Sequence, residues 1–316
     1  MIDFRPIELS DKKWMDERYK KADYASTYFC FTTNYLTRKD YNIMVADVDG
    51  FLCMKGVEDG NTLYLFPVGD GDLRGIIKKY IQDAKERNVP LIFNGILEEH
   101  KVFLEENFPE NFACCPLRSG FDYIYKTDDL VELPGNERSD KRKGVNFFKS
   151  NFEWSCEKLT DENLSECVDM HRKWYVMNQH KANDSFEQEK DFANNMLLEY
   201  KELKLTGLIL RVEDEIVAFA LGEPISSNTF MVHVEKAYTS LRGAYAMINQ
   251  LFAIEVQGKY EYIDRSYDLG IEGLRKVKML YGPTLLMTVY RANYVKGRIH
   301  PRRILRNMVK QAIGRA

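Results

Sequence analysis

The stretch YIDRSYDLGIEGLRKVKMLYGP, residues 262–283, decides the reading of this chain. It reads as a short strand, a polar loop and an amphipathic helix. Asp264, Arg265 and Asp268 leave the strand. Glu272, Arg275, Lys276 and Lys278 follow on a helix whose apolar positions are Ile271, Leu274, Val277 and Tyr281. A surface helix carries such charges for solubility alone. Here they gather just beyond a strand end, where α/β proteins bind ligands.

Upstream, FEWSCEKL is a strand, and two helical stretches follow at 161–179 and 185–200. LTGLILRVEDEIVAFALGEPI is a hairpin turning at Glu213-Asp214, and TFMVHVEKA is the next strand. Arg242-Gly243-Ala244 opens AYAMINQLFAIEVQ, a helix apolar nearly all round and therefore buried. TLLMTVYRA closes the half. The first half runs the same way. YNIMVADVDGFLCMKG turns at Asp49-Gly50, a strong hairpin signal. TLYLFPVG leads through Gly69-Asp70-Gly71-Asp72 into a helix with Leu73, Ile76, Ile77, Tyr80, Ile81 and Ala84 on one stripe. PLIFNG, a short helix and FDYIYK complete it. Hairpin, strand, glycine turn, helix, strand, helix, strand resembles the GCN5-related N-acetyltransferase (GNAT) fold. The order occurs twice. The expected architecture is thus mixed α/β, with GNAT-like domains at 1–130 and 151–294, a basic linker at 131–150 and a basic amphipathic tail at 295–316. In that fold the sheet splays between its fourth and fifth strands, and the acyl donor lies in the wedge. Its phosphates rest on the amides of the following helix N-terminus.

Composition narrows the options. The chain has 316 residues, 45% of them hydrophobic, as in a globular protein. No run approaches the ~20 apolar residues of a membrane span. MIDFRPIELSDKKW is no signal peptide, so a cytoplasmic location is expected. Six cysteines at irregular spacings and five histidines without an H-x-x-x-H pattern suggest no metal. The tail holds seven basic residues and no acid, so the net −3 becomes −10 once those seven are set aside. Its stripe of Ile304, Leu305, Met308, Val309, Ala312 and Ile313 has three readings: docking on the protein's own core, peripheral contact with an anionic membrane, or contact with RNA phosphates.

The chain also resembles the phosphatidylglycerol lysyltransferase C-terminal family and its free-standing bacterial relatives. Three pieces carry the likeness: FDYIYKTDDLVELPGNERSDKRKGVNFF, IVAFALGEPI with HVEKA, and residues 262–283. Arg265, Asp268, Gly270, Gly273, Leu274, Arg275, Lys276 and Lys278 match the family's N-R-E-x-D-x-G-x-x-G-L-R-K-x-K element. Asp264 stands where asparagine is usual, and Ser266 where glutamate is usual. The resemblance implies tandem GNAT-like domains that take an aminoacyl group from a charged tRNA. It leaves the acceptor open among lipids, peptides and small molecules.

Transfer from an aminoacyl ester needs an oriented nucleophile, a proton path and donors for the oxyanion. Glu235, at a strand end, is the first candidate base; the alternative is a pair with Lys236 or Arg265. His233 is either packed inward or a proton carrier. Asp268 either binds an α-amine or caps the helix. Arg275 and Lys278 either hold a phosphate or make surface salt bridges. Arg265 joins this substrate-binding set. Lys141 and Arg142 suit a backbone-phosphate contact or a solvated loop. Arg242, Gly243 and Ala244 form the candidate acyl-donor loop. The CoA-binding pattern there is incomplete, with Ser240 first and Tyr245 last, and Asp70 and Asp72 would repel a pyrophosphate in the other glycine turn. No tightly bound cofactor is expected. Two further functions stay open: a CoA-dependent N-acyltransferase and a non-catalytic tandem GNAT module that binds a ligand.

Overall fold

The computed structural model of the chain describes residues 1–181 and 184–295. β1 (Arg5–Pro6) and α1 (Lys12–Ala22) lead to α2 (Phe31–Leu36). β2 (Met44–Val48) and β3 (Phe51–Glu58) form the expected hairpin. Asp49 and Gly50 both take left-handed backbone angles, φ +51° and +85°, the two-residue turn whose twist suits antiparallel strands. Asp59-Gly60 repeats the device before β4 (Asn61–Tyr64). After β5 (Val68–Gly69), α3 (Leu73–Glu86) opens on Asp72, whose carboxylate accepts the Gly75 N–H at 2.9 Å. Asp72 thus caps a helix. Ile76, Ile77, Tyr80 and Ala84 are buried, as their spacing predicts. β6 (Ile92–Ile96), α4 (Glu98–Asn107) and β7 (Phe112–Pro116) follow.

β8 (Asp122–Lys126), α5 (Thr127–Glu132), α6 (Ser139–Asn151), β9 (Trp154–Lys158), α7 (Asp161–Met177) and α8 (Asp184–Leu198) come next. The described residues end with β10 (Thr206–Val212), β11 (Glu215–Pro224), β12 (Thr229–Ala237), α9 (Ala244–Val256), β13 (Tyr262–Asp264), α10 (Glu272–Met279), β14 (Leu285–Met287) and β15 (Tyr290–Tyr294). Two mixed sheets result. One runs β1-β2-β3-β4-β6-β15-β7, with β5 on β3; the other runs β14-β8-β13-β12-β11-β10-β9.

The two compact units are not the consecutive halves 1–130 and 151–294. Among the described residues, one comprises Met1–Ala22, Thr37–Phe121 and 288–295; the other comprises Asp23–Leu36 and Asp122–Met287. The cause is strand exchange. β8, from the first half of the sequence, pairs antiparallel with β13 and β14. β15, from the end, pairs antiparallel with β6 and β7. The expected linker at 131–150 is largely α6, which packs on α9. The tail from 296 lies outside the described residues.

In the second unit, β11 is buried from Ile216 to Leu221. α7 and α9 both pack on β11 and β12. Trp174 donates its indole N–H to the Ala237 carbonyl at 2.9 Å. The α9 side chains of Met247, Ile248, Phe252 and Ala253 are almost wholly buried, which accounts for its uninterrupted apolar sequence.

Gly243, just before α9, has φ +91°, and a Cβ there would lie 2.1 Å from the Gly144 carbonyl oxygen. Gly243→Ala should therefore lower the unfolding free energy by roughly 2–4 kcal/mol in urea titrations. Gly258→Ala, at φ +75° with open space around it, should cost only ~1 kcal/mol. Equal losses in both would refute the α6–α9 contact as the reason for Gly243.

Candidate active site

β12 and β13 are parallel neighbours over a short span only. Thr229, Phe230 and Met231 face Tyr262, Ile263 and Asp264. Beyond Met231 the strands part, while β12 stays paired to β11 as far as Ala237. Along that edge Leu221 faces Val234 but Gly222 faces Val232. His233 is thus an extra residue in β12, a bulge of the kind that gathers beside active sites.

An ion pair crosses the opening. Arg265, just past β13, pairs with Glu235 on β12. Side-chain exposure is 13% for the guanidinium and 8% for the carboxylate. Asn249 of α9 donates to the other Glu235 oxygen at 2.7 Å. The guanidinium lies 4.4 Å from the Tyr281 ring centre and 5.8 Å from that of Tyr125. Burial, the largest single influence, would lower the Arg265 pKa; the charge of Glu235, the Tyr281 and Tyr125 phenols and the hydrogen bond to Glu235 together overcome it and raise the pKa instead. Two buried polar atoms here have no partner among the described residues: Arg265 Nη1 and Asn249 Oδ1. Lys141 joins the group, its ammonium 4.6 Å from the Tyr281 ring. Burial and the Arg265 charge lower its pKa.

Of the two partners open to Glu235, the structure gives Arg265. Lys236 turns instead to Glu189 and to the Trp174 ring, 3.9 Å away. Both Glu235 oxygens are engaged, so it is built to hold Arg265 and Asn249 in place. The His233 side chain is 1% exposed, packed inward against Glu223.

The loop after β13 is strained. Ser266 and Leu269 both take left-handed angles, φ +61° and +54°, which non-glycine residues avoid without compensation. Asp268 supplies part of that compensation. Its carboxylate accepts the Tyr123 hydroxyl at 2.7 Å, the Gly270 N–H at 2.8 Å and Arg275 Nε at 2.8 Å. Burial would raise its pKa, but these bonds hold it below the usual carboxylate range. The α10 N-cap is Ile271, so Asp268 shapes the turn before the helix. Lys278 reaches back to the carbonyls of Arg265 and Ser266. Burial and the Arg265 charge push its pKa down to about 8. Arg275 and Lys278 therefore clamp the 265–270 loop and form no outward phosphate clasp. Arg142 likewise turns inward, to the carbonyls of Leu133 and Gly135.

Asp264 sits wholly buried near Asp122. Asp122 accepts three hydrogen bonds, from the Ser26 hydroxyl and from the Thr27 amide and hydroxyl. Asp264 accepts one, from the Ser266 N–H at 2.6 Å, and its Oδ2 has no partner among the described residues. Burial first, and the Asp122 charge second, push the Asp264 carboxyl well above its usual range. Burial raises the Asp122 carboxyl as well, but its three donors against one for Asp264 make Asp122 the better anion of the pair. A protonated carboxyl is close in shape and charge to the asparagine usual at this position.

Arg242 lies over the Phe147 ring at 4.5 Å, Gly243 touches Gly144, and Ala244 starts α9. The glycine turn is thus filled on one side by α6. A cavity of about 390 Å³ adjoins it, lined by Trp174, Met177, Asn178, Tyr238, Thr239 and Ser240 among others.

Residues 21–293 match the family described as phosphatidylglycerol lysyltransferase, C-terminal. A conserved protein of unknown function from Bacteroides thetaiotaomicron VPI-5482 is 35% identical, with 93% of this chain and all of that one covered and a TM-score of 0.88. L-PGS from Bacillus licheniformis aligns over both full chains at 17% identity, TM-score 0.65. The C-terminal domain of a putative lysylphosphatidylglycerol synthetase from Agrobacterium fabrum aligns over 95% of each chain at 14% identity, TM-score 0.64. The last two likenesses show the fold. None of the curated proteins matches the chain.

Two substitutions examine these charges. Unfolded, the Asp264 carboxyl ionises near 3.8; folded, it keeps its proton to much higher pH. The folded chain thus binds more protons. Its stability is complete below about pH 4 and falls as pH rises toward the folded pKa, by up to ~1.4 kcal/mol per pH unit. Asp264→Asn removes that fall. The variant should match wild type near pH 4 and gain on it steadily at higher pH in urea midpoints. A constant gap would mean an ionised Asp264. Asp268→Asn breaks a buried charge-assisted cluster and should cost about 2–4 kcal/mol at pH 7; a loss under ~0.5 kcal/mol would contradict its structural role.

Proposed function

The chain belongs to the phosphatidylglycerol lysyltransferase C-terminal family, and on that premise we propose that it moves an aminoacyl group from a charged tRNA to an amine or hydroxyl acceptor. Family and fold point to an acyltransferase; the donor and the acceptor class are our reading. The observation that carries it is the unpartnered donor and acceptor, Arg265 Nη1 and Asn249 Oδ1, held by Glu235 at the parted strands.

The acceptor's nitrogen or oxygen attacks the ester carbonyl. Arg265 Nη1 donates to the oxygen that becomes negative, the role with the largest leverage in acyl transfer. Asn249 Oδ1 accepts from the α-ammonium of the aminoacyl group. The acceptor's proton passes to the departing ribose oxygen, so an ester bond breaks as an amide or ester forms. Glu235 is a positioning residue, because both of its carboxylate oxygens are already taken, one by Asn249 and one by Arg265. Lys141 adds positive charge for the phosphates of the tRNA end. Because the donor is charged tRNA, the reaction belongs in the cytoplasm. No helix among the described residues is long and apolar enough to cross a membrane. A second reading, a CoA donor, draws on the cavity beside the α9 N-terminus.

The test offers the protein a panel of charged tRNAs, each with a radiolabelled amino acid, alongside lipid, peptide and small-amine pools. A parallel arm supplies acetyl-CoA. We expect label transfer from one charged tRNA only, with kcat reduced roughly 100-fold in Asn249→Ala and Arg265→Lys. Turnover of acetyl-CoA with every charged tRNA inert would sink the proposal.

A further inference from the structure

Cys30, Glu223 and His233 come from three separate segments of the second unit. Cys30 lies between the 3-10 turn Thr27–Phe29 and α2, Glu223 near the end of β11, and His233 at the β12 bulge. Cys30 is 3% and Glu223 8% exposed, and the His233 side chain is 1% exposed. Cys30 Sγ is 3.2 Å from Glu223 Oε1, His233 Nε2 is 2.9 Å from the same oxygen, and Sγ and Nε2 are 4.0 Å apart. We propose that these three side chains form a buried divalent-cation site whose preferred occupant is zinc.

The distances fit one ion. At zinc bond lengths of ~2.0–2.3 Å it reaches all three atoms at angles of roughly 90–135°, out of their plane, with one position open. The donor types fit as well: thiolate, imidazole and carboxylate together select zinc over magnesium or calcium. The charges balance, since a thiolate and a carboxylate offset a divalent ion and the imidazole stays neutral. Binding releases the thiol proton to solvent.

The competing arrangement is a hydrogen-bond chain, with the thiol and an imidazole N–H both donating to Glu223 Oε1. It anchors the imidazole through Nε2 alone, because His233 Nδ1 is buried and has no partner among the described residues. An ion at Nε2 would supply firmer anchoring. It would also tie segment 23–36 to β11 and β12 beside the bulge. That segment is also held by Ser26 and Thr27 on Asp122 and by Asp23 on Ser227. The separation of Cys30, Glu223 and His233 along the chain explains why no ligand spacing marks the site. This inference does not depend on the proposed reaction.

The test uses the full chain, reduced and stripped with chelator, titrated with Co2+ and then with Zn2+. We expect one equivalent of Co2+ with a sulfur-to-cobalt charge-transfer band, displaced by Zn2+, and a higher Tm with Zn2+. Cys30→Ser should abolish the band and weaken binding by more than the ~10–100-fold of an outer-shell change. Cys156→Ser, which removes an exposed thiol, should leave both intact. Should Cys30→Ser fail to fold, Glu223→Gln and His233→Gln give the same reading through affinity. No band in the wild type, a band that survives Cys30→Ser, or one lost only in Cys156→Ser overturns the site.

Discussion

The Arg265–Glu235 ion pair spans a gap that backbone hydrogen bonds leave open. β12 and β13 share a ladder only from Thr229 to Met231, and then separate. Separated strands expose polar backbone that must find partners or water. A buried cation there would be prohibitive alone, and a buried carboxylate equally so. Each makes the other tolerable, and Tyr125 and Tyr281 supply ring faces for the guanidinium. The pair thus lets the sheet stay open without collapse. It also leaves Arg265 Nη1 and Asn249 Oδ1 with unused bonding capacity. Such capacity is costly in a folded core, which is why these two atoms are the ones we propose for substrate.

Much of the fold was legible because its causes are local. Asp49-Gly50 turns a hairpin wherever apolar strands flank it, and the 76-77-80-84 stripe can face a core only as a helix. The strand exchange was not legible. FDYIYK and TVYRA have the same apolar character whichever sheet receives them, and pairing partners far along the chain leave no local mark. The α6 segment reads as a basic linker because its surface is Lys141, Arg142 and Lys143. Its burial comes from Val145, Phe148 and the bare backbone of Gly144 against Gly243.

For the site, the cluster at 264–278 was visible as charge, but not the partner of each charge. Arg275 and Lys278 share a helix face, which suggested a shared ligand. The loop bends back over that face, so Asp268 takes one and the backbone carbonyls take the other. Short polar loops hide such returns, because left-handed Ser266 and Leu269 redirect the chain in ways no periodicity encodes. Asn249 lacked any motif, and HVEKA did not fix which way His233 faces; the bulge and the burial that mark them exist only in three dimensions.

The two departures from the family pattern are best understood together. Where the family element that residues 264–278 resemble has asparagine and glutamate, this chain has Asp264 and Ser266, so the acidic side chain of the two positions stands at 264. At 264 the carboxyl meets Asp122, whose three donors make it the better anion. Of the two carboxyls Asp264 is thus the one pushed toward its protonated form, which resembles an asparagine in shape and charge. At 266 a small hydroxyl lies 3.4 Å from the Thr27 hydroxyl, close to the charged Asp122. A glutamate there would bring a second negative charge to a site that already protonates one carboxyl to avoid it. Arg265, between them, keeps Glu235 as its partner.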